Sequence, residues 1–199
     1  MTCLYIYRLT NDTGFAPCVE KGLLSLACCK GGQIRNGKVI NTGLRHRIGQ
    51  KREADYETDD VYILGVFKDK MLYLAKVTKV VSMEEYFDGM SKGRTDDIYS
   101  LVNGELIRNK KLRAEDVHTE PDRIKKDLAG RYVVLSEDYI YLGVDAVTIE
   151  EITQYYPKFE ETKVYKDELA QKIVAECFRY KDDTTHTPTT PIYHHGGCK

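Results

Sequence analysis

An α+β domain built around a curled or closed mixed β-sheet, with short peripheral helices and a C-terminal helix, is predicted by three features of this 199-residue chain. At least six short segments rich in Tyr, Ile, Val and Leu are set apart by Gly, Asn and Asp turns. Helical spacing is brief until the last part of the chain. An apolar fraction of 42% lets a chain of this length bury a sizeable core.

Cys3–Leu9 (CLYIYRL) forms the first strand in this reading. Asn11–Pro17 gathers Asn, Asp, Gly and Pro into a turn. Gly22–Cys29 is the next apolar element; Leu, Ala and Cys suit helix or strand, and its short length between glycines favours strand. Gly31-Gly32, Asn36-Gly37 and Thr42-Gly43 punctuate a basic, loop-like region. Asp60–Phe67 and Met71–Val81 are strands joined by Lys68-Asp69-Lys70, and should pair as a hairpin. Ser82 with Glu85 three residues on makes a capping box for a short helix. Asn103-Gly104 between Ile98–Val102 and Glu105–Ile107 signals a type I′ hairpin. Pro121–Ala129 is a short helix closed by Gly130, followed by strands Arg131–Leu135 and Tyr139–Leu142.

Thr148–Tyr156 is predicted as a helix stopped near Pro157. Tyr165–Phe178 places Leu169, Ile173, Val174 and Cys177 at helical spacing. Beyond Tyr180 the Thr, Pro, His and Gly content predicts disorder. The organisation expected is a domain over 1–147, a helical appendage over 148–180 and a disordered tail over 181–199.

No apolar run reaches the roughly 18–20 residues of a membrane span. The N-terminal MTCLYIYRL lacks a signal-peptide pattern, so a cytoplasmic protein with six reduced cysteines is expected. There is no CxxC pair or HxxxH, and His186, His194 and His195 fall in the tail, so no metal site is expected. Neither GxGxxG nor GxxxxGK[ST] occurs, and no cofactor is expected. Net charge is −1, yet Lys21–Arg52 holds eight Lys/Arg and no acid, while the rest of the chain from Glu53 has 21 basic against 29 acidic residues. That split either focuses positive potential on one surface, attracting phosphate, or is a solvated basic loop.

Candidate site residues follow from these segments. Asp12 can cap its turn, accept hydrogen bonds from base amino groups, or act as a general base if its pKa is raised. Thr13 adds a donor and acceptor, and Gly14 fixes a tight path beside it. Phe15 is a plug for the barrel mouth or a stacking face. Cys28 and Cys29 point to opposite faces of a strand; each is either a small hydrophobe or a nucleophile activated by nearby Lys30 and Arg35, with His46 and His118 as candidate bases. Lys30 and Arg35, next to the exposed amides of Gly31-Gly32, form an oxyanion or phosphate cradle, or else solvated charge. Arg94, Asp97 and Tyr99 can hold a phosphate and a base edge, or make a plain salt bridge. Tyr139 and Tyr141 share a face and offer an aromatic wall or core packing.

Asp12–Pro17, Leu26–Lys30 and Ile34-Arg35, followed in order by Tyr62–Gly65, Lys76–Thr78, Glu85–Phe87, Arg94 through Asp97–Tyr99, Val134–Ser136 and Tyr139–Gly143, resemble the nucleotide-modification-associated domain proteins of bacteria and phages. The resemblance covers residues 3 to 143 and implies a context of DNA-base modification more than a reaction. By fold-level analogy it extends to the PUA, ASCH and EVE group, small barrels that bind RNA or modified bases. The pattern departs at Cys18, where Asn is frequent, at Gly31-Gly32, where Pro follows the lysine, and at Asp60-Val61-Tyr62, where relatives have Gly-Asp-Trp. If relatives stack a base on that Trp, Tyr62 takes its place in a chain with no Trp.

Three functions follow as expectations. The first is a module that binds a nucleotide or modified base in a basic, Tyr/Phe-lined pocket. The second is a metal-free enzyme that modifies a nucleotide or DNA base through Asp12 or a cysteine. The third is an interaction protein whose basic loop meets an acidic partner. No membrane partner is expected, and the C-terminal helix is suited to a homodimer.

Overall fold

The computed structural model describes residues 1–36, 38–55, 59–109, 119–180 and 190–192. Gly37, His118 and the tail residues His186, His194, His195 and Cys198 lie outside them, as does most of the segment expected to be disordered.

Alternation along β1 (Thr2–Arg8) makes it the centre of the structure. Cys3, Tyr5 and Tyr7 enter one core, while Leu4 and Ile6 enter another on the opposite face. A strand buried on both faces needs partners on both edges. β6 (Asp60–Phe67) pairs parallel with β1, and β13 (Thr162–Lys166) pairs antiparallel, Tyr5 opposite Val164. β7 (Lys70–Lys76) and β12 (Asp138–Tyr141) extend this to a five-stranded sheet, β12-β7-β6-β1-β13.

A four-stranded antiparallel sheet stacks over it: β2 (Cys18–Glu20), β3 (Leu23–Leu26), β11 (Tyr132–Ser136) and β8 (Lys79–Ser82), in that order. β7 runs into β8 and β11 into β12, so both chains cross between sheets at one corner. There the Thr78 amide donates to the Leu135 carbonyl at 3.0 Å, and the Glu137 amide to Thr78 Oγ1 at 3.2 Å. Met71–Val81 is therefore two strands rather than one: its apolar pattern continues through the corner with no Gly or Pro to mark it. The described strands form a mixed α+β arrangement of several sheets and do not close into a barrel.

Between the two large sheets lie Tyr5, Tyr7, Leu24, Leu26, Ile63 and Tyr73. Into this layer α1 (Leu44–Asp55) inserts Leu44 and Ile48, an i,i+4 pair. The helix is otherwise too polar to show in the sequence, which is why the region was expected to be loop. Residues 32–42 within it form a hairpin, β4 (Gly32–Arg35) with β5 (Lys38–Thr42). The short helices α2 (Met83–Glu85), α3 (Pro121–Leu128) and α4 (Glu150–Thr153) occur near their expected places. Ser82 Oγ accepts the Glu85 amide at 3.0 Å, as the capping box predicts. β9 (Tyr99–Val102) and β10 (Glu105–Arg108) meet at Asn103-Gly104, both at positive φ as a type I′ turn requires.

α5 (Asp167–Phe178) lays Ala170, Ile173, Val174 and Cys177 on the outer face of the five-stranded sheet. Residues 162–178 thus supply an edge strand as well as a helix. β13 escaped notice because TKVYK is five residues long and needs only Val164 and Tyr165 to face the two cores. No helix among the described residues is long and apolar enough to cross a membrane.

Candidate functional site: a basic cavity beside the Asn11 turn

The loop after β3 is held in an unusual shape. Cys29 and Lys30 both have positive φ, 56° and 46°, a conformation that costs a non-glycine residue about 1 kcal/mol or more. The bonds that offset this come from three directions. The Cys29 amide donates to Asp127 Oδ1 at 2.7 Å, and Arg45 Nε donates to the Cys29 carbonyl at 2.7 Å. The Gly43 amide donates to the Gly31 carbonyl at 2.8 Å. Gly31 is pressed so closely on α3 that a Cβ there would stand 2.0 Å from the Lys126 carbonyl oxygen.

Arg45 is the bolt. Fully buried, it also donates to the carbonyls of Tyr132 and Asp127, each at 2.6 Å. The Asp127 carboxylate, equally buried, takes the Cys29 amide and, at 3.0 Å, the Tyr99 hydroxyl.

This scaffold opens a cavity of about 550 Å³, within the size range of small-ligand sites. Its wall includes Asn11, Lys30, Gly31-Gly32, Arg47, Arg123 and Lys126 together with the acids Asp127, Glu160 and Glu161; contrary to the expectation of a Tyr/Phe-lined pocket, no Tyr or Phe lines it among the described residues. Among the described residues Lys30, Arg47 and Lys126 have no carboxylate within ion-pair distance. The Lys30 ammonium lies 5.0 Å from the Tyr7 ring centroid and 3.4 Å from the Arg8 carbonyl oxygen. Arg47 stands 5.8 Å from the Tyr5 ring. Cations held near aromatic rings, with no described carboxylate within ion-pair distance, suit an anionic ligand.

On the interior side of the same turn, Asp12 is fully buried. Its Oδ2 accepts from the Tyr141 hydroxyl at 2.8 Å and the Ile192 amide at 3.1 Å. Oδ1 has no hydrogen-bond partner of standard geometry. Burial pushes the carboxyl pKa up, opposed by Tyr141, Ile192 and the nearby Gly14 amide. Tyr7 and Tyr73 share a hydroxyl–hydroxyl bond of 2.8 Å, and burial, then Tyr7 and Asp12, push the Tyr73 phenol well up. A line of polar groups thus leads from Lys30 in the cavity, past Tyr7 and Tyr73, towards Asp12 and Tyr141.

The remaining expected residues divide. Thr13 is half-buried beside Asp12, and Gly14, at φ 73°, faces the Pro191 ring. Phe15 is buried with Cys28 and Phe87 in a core on the outer side of the four-stranded sheet, where there is no barrel mouth for it to plug. Arg35 lies at the exposed end of the β4–β5 hairpin and does not line the cavity. Tyr62 lies on the other face of the five-stranded sheet, its ring 6.3 Å from that of Phe178. Arg94 is buried and donates to the carbonyls of Cys18, Glu20 and Leu23, with Asp96 at 3.4 Å as its ion-pair partner. Asp97 accepts from Ser91 Oγ at 2.6 Å, and Tyr99 is spent on Asp127. These three tie loops together and are not gathered at the cavity. Cys28 is fully buried, and desolvation raises its thiol pKa well up, the reverse of an activated nucleophile. Cys29 is partly exposed and lines the cavity. His46 is buried with its ring 5.6 Å from Tyr132. Tyr139 and Tyr141 do share a face, both packing on the core between the sheets.

Sequence reasoning missed Arg45, Arg47, Lys126 and Asp127 as site residues. The acid-free run Lys21–Arg52 signalled the first two, whereas nothing local to α3 tied Lys126 or Asp127 to a loop about 100 residues earlier. Among the described residues no group of His, Cys, Asp and Glu is arranged to hold a metal ion.

A family model described as nucleotide modification associated domain 2 matches residues 1–192. No curated protein and no solved structure matches the chain significantly. The family match runs past residue 143, where the motif resemblance stops, and so takes in β13 and α5. On this match the chain belongs to the nucleotide modification associated domain 2 family.

Proposed function

We propose that the protein binds a nucleotide or nucleic acid in the service of nucleotide modification, with phosphate in the cavity over Gly31-Gly32 and the base towards the tyrosines behind it. One observation carries this reading: Lys30, Arg47 and Lys126 line one cavity, and among the described residues none of them has a carboxylate within ion-pair distance. Phosphate contact supplies affinity and salt dependence, and the pocket supplies base preference. Arg35, three residues along β4 from Gly32, is about 10 Å further out and belongs to the path of a longer strand. A PUA-like mode of base reading extends this proposal by fold-level analogy. Fluorescence anisotropy with a labelled oligonucleotide, competed by mononucleotides, tests the proposal. Lys30→Ala should weaken both ligands and Arg35→Ala only the oligonucleotide. No binding of either ligand at 50 mM salt would contradict it.

A metal-free enzyme acting through Asp12 is the second reading, favoured by the raised pKa of a buried carboxyl beside two hydroxyl-bearing rings. Incubation with nucleotides and a mass change lost in Asp12→Asn would support it. No mass change across a nucleotide and DNA panel would remove it.

A further inference from the structure

Asp12 is furnished like a recognition group whose ligand position has been borrowed. The hydrogen bonds from Tyr141 and Ile192 both fall on Oδ2; the Gly14 amide lies near the carboxyl, and among the described residues Oδ1 has no partner of standard geometry although the residue is fully buried. A buried carboxylate oxygen without a donor is costly, and such atoms call for a missing partner. The donor that the chain itself brings, the Ile192 amide, comes from far along the sequence. Val144 donates to the Thr190 carbonyl at 3.0 Å, Pro191 sits on Gly14, and the Ile192 side chain packs on the core between the sheets. A Cβ on Gly14 would come within 2.7 Å of the Pro191 ring, so this position accommodates the segment only as glycine.

A carboxylate takes two adjacent N–H donors side by side, one on each oxygen. Guanine presents such a pair, N1–H and the N2 amino group, on its Watson–Crick edge. Adenine and cytosine set an amino group beside an acceptor, and uracil sets one N–H between two carbonyls. The groups around Asp12 are Tyr141, Tyr73, Gly14 and Ile192; its neighbour Asn11 lines the cavity with the cations, while Asp12 itself does not. A base beside the carboxylate and a phosphate at the cations satisfies both signs of charge.

We propose that Asp12 reads a guanine-type edge, and that the Ile192 amide holds its place until that edge displaces Thr190–Ile192. This rests on the nucleotide-binding reading above and names its base.

Calorimetry of the full chain with GMP, IMP, AMP and CMP at 50 mM salt tests it without any substitution. GMP should bind at least about tenfold more tightly than IMP, which lacks the N2 amino donor, and than AMP or CMP. Ile192→Pro removes the competing amide hydrogen and should tighten GMP several-fold. Asp12→Asn should erase the preference for GMP while leaving AMP as it was, with melting curves reporting that the variant is folded. Equal affinity for GMP and IMP overturns the assignment and leaves the phosphate reading standing. Unchanged GMP affinity in Ile192→Pro overturns the displacement. Argininamide, with the same donor pair and no phosphate, binding as tightly as GMP overturns the nucleotide class. Absence of binding by all four nucleotides overturns this inference and the phosphate reading together.

Discussion

Arg45 donates to the main-chain oxygen of Asp127 at 2.6 Å while the side chain of Asp127 fastens the Cys29 amide at 2.7 Å. The two residues thus clamp the cavity loop from both sides. Arg45→Ala strands one buried and two partly buried carbonyls and removes a fully buried cation. The loss should be about 3–5 kcal/mol by urea denaturation. Arg45→Lys should recover little of it, because an ammonium lacks the planar fork that reaches Cys29, Tyr132 and Asp127 together. A loss below about 1 kcal/mol for Arg45→Ala would contradict the clamp.

Among the described residues the buried Tyr156 hydroxyl has no hydrogen-bond partner, in the layer between α5 and the five-stranded sheet. Tyr156→Phe keeps the ring and deletes the unpaired group. Stability should be unchanged or raised by up to about 1 kcal/mol. A clear loss in the same denaturation experiment would show that the hydroxyl has a partner after all.

Asp12 carries a pKa raised by burial, so the folded chain holds its proton more tightly than the unfolded chain. The folded state therefore binds more protons above the ordinary carboxyl value of 3.8, and this group's contribution to stability is present below that pH and lost as pH rises. Asp12→Asn cannot ionise and should not share the decline. The stability of the variant relative to the parent should increase from pH 4 towards neutrality. A difference that stays flat with pH would contradict this.

Thiol accessibility separates the binding module from a cysteine enzyme. Cys18 and Cys28 are fully buried, and desolvation raises both thiols. Iodoacetamide near neutral pH should leave Cys3, Cys18, Cys28 and Cys177 unmodified in the folded protein and reach Cys29 only at an ordinary, slow rate. Rapid modification of Cys28, read by peptide mass mapping, would restore the nucleophile.

The elements with local signals were legible in the sequence. Asp60–Phe67 is a strand over those same residues, and Asn103-Gly104 makes its hairpin because two successive positive φ angles favour that pair. What was hidden depends on distant partners. Among its described side chains α1 gives only Leu44 and Ile48 to the apolar core, while Arg45 and Arg52 reach carbonyls elsewhere in the fold. Lys30 and the Gly31-Gly32 pair were legible as one wall of a site. Lys126 and Asp127 joined them only through the approach of α3 to the loop. Arg94 and Tyr99 looked functional because Arg, Asp and Tyr serve ligands and buried networks equally, and burial decides between the two.

The central claim is an anion site built by the cavity cations, and salt dependence measures it most directly. Binding of a single-stranded oligonucleotide should be followed from 50 to 200 mM salt for the parent and for Lys30→Ala/Lys126→Ala. Each phosphate contact contributes about 0.7 to the slope of log affinity against log salt. The double variant should bind on the order of tenfold more weakly at 50 mM salt, with a slope shallower by about 1.4. Equal affinity and an unchanged slope in the two proteins would contradict the account.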